Sequence, residues 1–209
     1  MGYNFKIIRE FNNFIPKGSF GLISFIIFVG GLTLSYLEFP GYSLIKNMVS
    51  DLGVGPGSSF FNCSLIISGM LTLLFFIRFY YIFHETNVHH NYKKITIGLC
   101  IFSSISYIFV GIFPSTTNFI IIALHIAFSS STFVFGMICI LLISYLIYRH
   151  TDYPNLLIIF GILFALSVVV YFSTLLPFFE WLIVIFYSVW ILVNSFYIFT
   201  KDIKMRLKK

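Results

Sequence analysis

The residues best suited to chemistry gather around Ser50-Asp51-Leu52-Gly53, with His125 and Ser129 further along the chain. A hydroxyl, a carboxylate and an imidazole are the parts of acid–base and nucleophilic catalysis, provided that a base is oriented by a third group and reaches the nucleophile. Adjacent serine and aspartate side chains rarely point the same way, so Ser50 and Asp51 do not make a triad by themselves. Ser129 is better placed, because residues four apart on a helix share a face. A second set, His84, Glu85, His89 and His90, has a spacing that invites a metal, with His150 and Asp152 as further donors. Neither set carries the paired ligands of a zinc site. No metal and no cofactor is expected, and the histidine cluster reads as a solvated, pH-responsive loop.

What must position these residues is a membrane bundle. Of 209 residues, 59% are hydrophobic, 21% aromatic and only 10% charged, whereas a soluble domain carries about 25% charged residues. That composition argues against a soluble enzyme, a secreted disulfide scaffold, a disordered tail and a nucleic-acid module. Six apolar runs have the length, about 20 residues, that crosses the hydrocarbon as a helix: Ser19–Leu37, Ser59–Phe83, Ile95–Phe113, Phe119–Tyr148, Asn155–Leu176 and Phe178–Thr200. The fourth is long enough to tilt or to project beyond the bilayer. Open-edged strands cannot cross lipid, and no alternating segments suggest a barrel. The expectation is an all-α fold, one six-helix transmembrane domain over residues 1–209. The first run is too long for a secretory signal and lacks a small-residue cleavage site, so it is expected to be retained.

All but Lys46 of the 13 Lys and Arg lie before the first span, in or beside the second and fourth connections, or in the tail. That asymmetry predicts a plasma-membrane protein with both termini cytoplasmic. The net charge of +6 then faces phospholipid headgroups, which makes membrane lipids the expected partners and nucleic acid not one. Arg78, just inside the second span, is expected to snorkel to the inner headgroups. Cys63, Cys100 and Cys139 lie in apolar runs with no CxxC spacing and read as small buried residues. Glu180 opens the sixth span, where a carboxylate suits the helix dipole. Gly30-Gly31, Ser103-Ser104-Ser106 and Ser129-Ser130-Ser131 read as packing seams.

On the outer side, Pro40, Pro114 and Pro177 are expected to stop the three outward-running helices at the interface. The connection from Glu38 to Ser58, about 20 residues, is long for so terse a chain, and such loops are usually functional. Tyr42–Val49 is expected to form a short amphipathic helix on the outer leaflet. Gly53, Gly55 and Gly57 permit positive φ or close backbone approach, to cap the second span or hold an anion; the alternative is a plain turn capped by Ser58 or Ser59. His125 lies roughly two turns below the outer end of the fourth span, where an ionisable group needs a partner in the bundle interior. Asp51, from the same side, is the expected partner, with a bond to a backbone carbonyl as the alternative.

Ser50-Asp51-Leu52-Gly53 followed by Gly55-Pro56, then Phe61-Asn62, Ser68-Gly69, Gly111-Ile112-Phe113-Pro114 and His125, together resemble the prokaryotic membrane proteins called domain of unknown function 998. The resemblance runs over all six spans. That family is similar in architecture to the six-span Frag, DRAM and Sfk type, associated with lipid remodelling and membrane trafficking. The resemblance implies that Ser50, Asp51, Gly53, Pro114 and His125 belong to one outer-side constellation, and carries no activity with it. The favoured expectation is binding or sensing of a lipid or small amphiphile at an outer-leaflet polar site formed by Ser50, Asp51, Gly53, His125 and Ser129. The alternatives are a membrane-embedded hydrolase or lipid-modifying enzyme with Asp51 and His125 as acid and base, and more weakly a small transporter or an assembly subunit.

Overall fold

The computed structural model describes residues 15–84, 90–149 and 153–208. Six helices in it are long and apolar enough to cross a membrane: α1 Ser19–Leu37, α2 Ser58–His84, α3 His90–Ile112, α4 Phe119–Tyr148, α5 Leu156–Thr174 and α6 Pro177–Arg206. The described residues contain no strand. α1 and α4 have the expected bounds. α3 starts five residues earlier than Ile95, because its polar first turn continues the helix past the apolar run. α6 runs beyond Thr200 for a similar reason: Asp202 and Arg206, one turn apart, pair at 2.7 Å and support a polar last turn.

Each helix packs mainly on the helices before and after it, and α1 closes onto α6. The result is a ring of six antiparallel helices. Its centre is filled by aromatic side chains from nearly every wall: Phe28, Tyr107, Phe133, Phe164 and Tyr187 surround one cavity. Trp190 is fully buried among Phe76, Phe164 and Ile191 in the same core. Outside, Ile26, Ile126, Leu166 and Phe196 are among many exposed apolar residues, the surface that lipid tails solvate.

Hydroxyls sew the walls together, as bundles in lipid require because apolar burial alone does not drive association there. Ser24 Oγ is 2.8 Å from Thr72 Oγ1 and donates to the Ser68 carbonyl at 2.9 Å. Ser103 Oγ donates to the Thr132 carbonyl at 3.0 Å. Arg78 does not snorkel outward: it is buried, donates to the Ile15 carbonyl at 3.2 Å and lies 4.6 Å over the Phe20 ring. Its guanidinium finds a carbonyl and a π-face within the protein.

The cysteines depart from the expectation of three separate buried residues. Cys100 of α3 and Cys139 of α4 form a disulfide, whereas Cys63 is a free, exposed thiol. The ring sets α3 against α4 and brings the pair together. Proteolysis at a site introduced into the α3–α4 turn is therefore expected to leave two halves joined on a non-reducing gel and separated on a reducing one. Removing the crosslink by Cys100→Ser is expected to lower stability by about 2–4 kcal/mol, measured by denaturant unfolding.

Candidate functional site

The end of the ring opposite the chain termini is plugged by the segment between α1 and α2. Residues 44–46 form a turn, and a short 3-10 helix follows at Val49–Gly53; the amphipathic helix expected at Tyr42–Val49 is absent. Local side chains account for this by competing for the backbone. Asn47 Oδ1 accepts from the Ser43 N–H at 3.1 Å, and Asp51 Oδ2 accepts from the Met48 N–H at 3.0 Å and from Asn47 Nδ2 at 3.3 Å. The Tyr42 hydroxyl donates to the Met48 carbonyl. Partial burial raises the Tyr42 phenol above its ordinary range, with Glu180 and Asp51 adding to the effect, so it remains a donor.

The apolar residues of the 3-10 turn face the core. Val49 is 3% and Leu52 0% exposed, packed with Phe28, Phe61, Leu65 and Trp181. Three helices hold the turn from outside. Ser35 of α1 donates to the Leu52 carbonyl at 3.2 Å, Asn62 of α2 donates to the Gly53 carbonyl at 2.9 Å, and Glu180 of α6 accepts from the Val49 N–H at 2.8 Å. The glycines serve close approach and not positive φ, which only Gly18 and Gly41 adopt among the described glycines. A Cβ on Gly57 would stand 2.7 Å from the Ser35 backbone.

Beneath this plug is a cavity of about 50 Å³. Ser50, His125, Ser129, Thr132 and Glu180 supply its polar wall; Phe28, Leu65, Val110, Phe133 and Val184 are among its apolar residues. Three of the sequence-selected residues, Ser50, His125 and Ser129, thus line one space. Asp51 and Gly53 belong to the plug above it. The bond made by His125 is to the Phe113 carbonyl, at 2.7 Å from Nδ1. A carbonyl only accepts, so Nδ1 carries the hydrogen and Nε2 is the acceptor of the neutral ring. This is the carbonyl alternative, and it fixes α4 to the end of α3. The carboxylate that shares the cavity with His125 is Glu180, which sequence reading assigned only to a helix dipole. Ser129 Oγ donates to the Ile126 carbonyl on its own helix at 3.2 Å. The cluster of His84, Glu85, His89 and His90 lies largely outside the described residues.

Asp51 therefore acts on the loop that bears it. Asp51→Ala is expected to lower stability by about 1 kcal/mol, the usual cost of a lost cap, while the Val49–Glu180 bond persists. Unfolding by denaturant in detergent would measure it, and a loss above roughly 3 kcal/mol would assign the carboxylate more than a capping role.

A helical ring with membrane-length walls, the Ser50–Gly53 plug and His125 beneath it defines a multi-pass membrane protein. The family model for a protein of unknown function, DUF998, matches residues 22–197, and the chain belongs to that family. No curated protein and no solved structure matches the chain.

Proposed function

We propose that the protein sits in a plasma membrane with both termini cytoplasmic, and that its outward cavity recognises a small amphiphile. The orientation follows from the basic residues collected at the end of the bundle that holds the termini. The composition of the cavity wall carries the functional reading: one side offers Glu180, His125, Ser129 and Ser50, and the remainder is largely apolar. A ligand with a cationic or hydroxyl-bearing head and an apolar body matches both halves. About 50 Å³ is far below the roughly 300–1,000 Å³ of ordinary ligand pockets, so entry requires the plug to lift away from Glu180. Lifting exposes the carboxylate that would meet the ligand head.

The test uses dodecylamine, with dodecanol for comparison, added to the protein in nanodiscs. Trp181 is next to Glu180 and packs 6.0 Å from Tyr42 of the plug, so its emission reports on this end in a Trp190→Phe background. Saturable binding of dodecylamine, weakened at least about tenfold by Glu180→Gln and lost when Val184→Trp fills the cavity, supports the reading. Non-saturable partitioning that is equal in all three proteins overturns it.

A further inference from the structure

At the plug end of the ring α4 is sealed against α3 and parted from α5. On the α3 side Phe128 stacks on Phe109 at 4.7 Å and on Phe113 at 5.8 Å, and His125 bonds to the Phe113 carbonyl at 2.7 Å. On the α5 side the two halves of α4 differ. Ser144, towards the termini end, is 4% exposed, and a Cβ on Gly161 of α5 would stand 2.4 Å from its Oγ. Ile126 lies on the same line of α4 about five turns nearer the plug, and it is 57% exposed. α5 shows the same change: Val168 is 1% exposed, whereas Phe172, about one turn nearer the plug, is 41% exposed. Two helices that touch at Ser144 and Gly161 thus splay towards the plug. The connectivity permits this, because short turns join α3 to α4 and α5 to α6 at that end, while α4 and α5 are linked at the other.

The result is a cleft that faces lipid over the depth of one leaflet. From Phe133 to Phe119, the first residue of α4, the helix rises about 21 Å at 1.5 Å per residue, half of the roughly 40–45 Å of a bilayer with its headgroups. At the inner end of the cleft stand Phe133 and Tyr171, with ring centroids 5.9 Å apart. Phe133 is also a wall of the cavity that holds His125 and Glu180, beside Ser129. The Tyr171 hydroxyl meets the Met48 sulfur at 3.9 Å, at the start of the plug's 3-10 turn. An aromatic pair therefore stands between cleft and cavity, and one of its members is tied to the plug.

We infer that this cleft seats the alkyl chain of the ligand, which makes the ligand a long-chain amphiphile taken sideways from the leaflet at the plug end. The inference rests on the amphiphile reading above and deepens it. A cavity of about 50 Å³ has room for a small head and none for a chain. The neighbouring cavity is also about 50 Å³ and ends on Phe164 and Tyr187, whose rings are 5.6 Å apart. A chain lying between Ile126 and Phe172 stays among apolar groups throughout, so it loses nothing by remaining outside the ring. Lifting the plug takes Met48 away from Tyr171, and the head then passes Phe133 to reach Glu180. Lipid tails fill any groove on a membrane protein; what distinguishes this one is a buried carboxylate and an imidazole behind its inner end.

The test places a single tryptophan in the cleft, Ile126→Trp with Trp181→Phe and Trp190→Phe, in nanodiscs. The probe is dodecylamine brominated at mid-chain, because bromine quenches indole emission only at close range. Ile67→Trp in the same background, at an exposed position of α2, is the control. Emission at position 126 is expected to fall saturably, with a midpoint within about twofold of that read from Trp181. Glu180→Gln is expected to raise this midpoint at least about tenfold, and position 67 to show only the linear loss of partitioning. Phe172→Trp on the facing helix gives an independent second reading with the same expectation. Saturable binding at Trp181 without a saturable loss at 126 and 172 places the chain elsewhere, which overturns the inference and leaves the amphiphile reading standing. Equal losses at 126 and 67 overturn it in the same way. Partitioning without saturation at Trp181 as well removes both.

Discussion

Replacing Glu180 by alanine is expected to free the plug, lower stability by about 2–3 kcal/mol and abolish dodecylamine binding. The carboxylate is almost wholly buried and accepts the Val49 N–H at 2.8 Å. Truncation removes a buried acceptor and leaves that N–H orphaned next to an apolar core, and such losses fall at about 1–3 kcal/mol. Val49 and Leu52 are packed through the same turn, so the penalty falls on the plug as a unit. Lys46 lies exposed within the plug segment and gives a direct readout. If opening governs cleavage, trypsin at Lys46 is expected to act about 30–150-fold faster in Glu180→Ala, the factor that corresponds to 2–3 kcal/mol. Glu180→Gln retains an acceptor for Val49 and is expected to fall near wild type in cleavage rate while still losing dodecylamine affinity. A cleavage rate in the alanine variant within about twofold of wild type would mean that the plug is held by its apolar residues alone.

That contrast shows how far the sequence could be read. Apolar runs of membrane length impose helices whatever their neighbours, so the spans were legible, α1 and α4 to the residue. Ser50, His125 and Ser129 were also legible as residues of one end of the bundle, where they line one cavity. The identity of their partners was not. Glu180 meets Val49 across 131 positions of chain, a meeting that depends on α6 closing the ring against α1. Nothing in the local pattern of either segment states this. Asp51 went the other way: a carboxylate three residues after Met48 closes a local bond at small entropic cost, in place of one to His125. The disulfide was hidden for a related reason, since which spans adjoin is a property of the ring.

The second large effect is expected at Gly31 and is clearest against its neighbour. Gly31→Val should be among the most disruptive single changes in the bundle, and Gly30→Val nearly silent. A Cβ at Gly31 would lie 2.3 Å from Ser64 Cβ and 2.7 Å from the Phe60 carbonyl, whereas at Gly30 nothing stands within 4 Å. Helices in lipid associate by close packing and hydrogen bonds, because lipid tails solvate apolar side chains as well as other helices do. Moving α1 away from α2 therefore sacrifices the contacts that hold the ring, including the Ser24 bonds to Thr72 and Ser68 one face below. Overpacking of this kind costs typically 1–3 kcal/mol in cores that can shift, and a backbone carbonyl is among the least movable of obstacles. The expected loss for Gly31→Val is about 3 kcal/mol or more, with reduced yield of folded protein. At Gly30 the backbone is already committed to helix, so Gly30→Ala should stabilise by about 0.5–1 kcal/mol through helix propensity alone. Denaturant unfolding of the pair in the same detergent decides the matter, and equal losses at both positions would show that the α1–α2 seam does not run through Gly31.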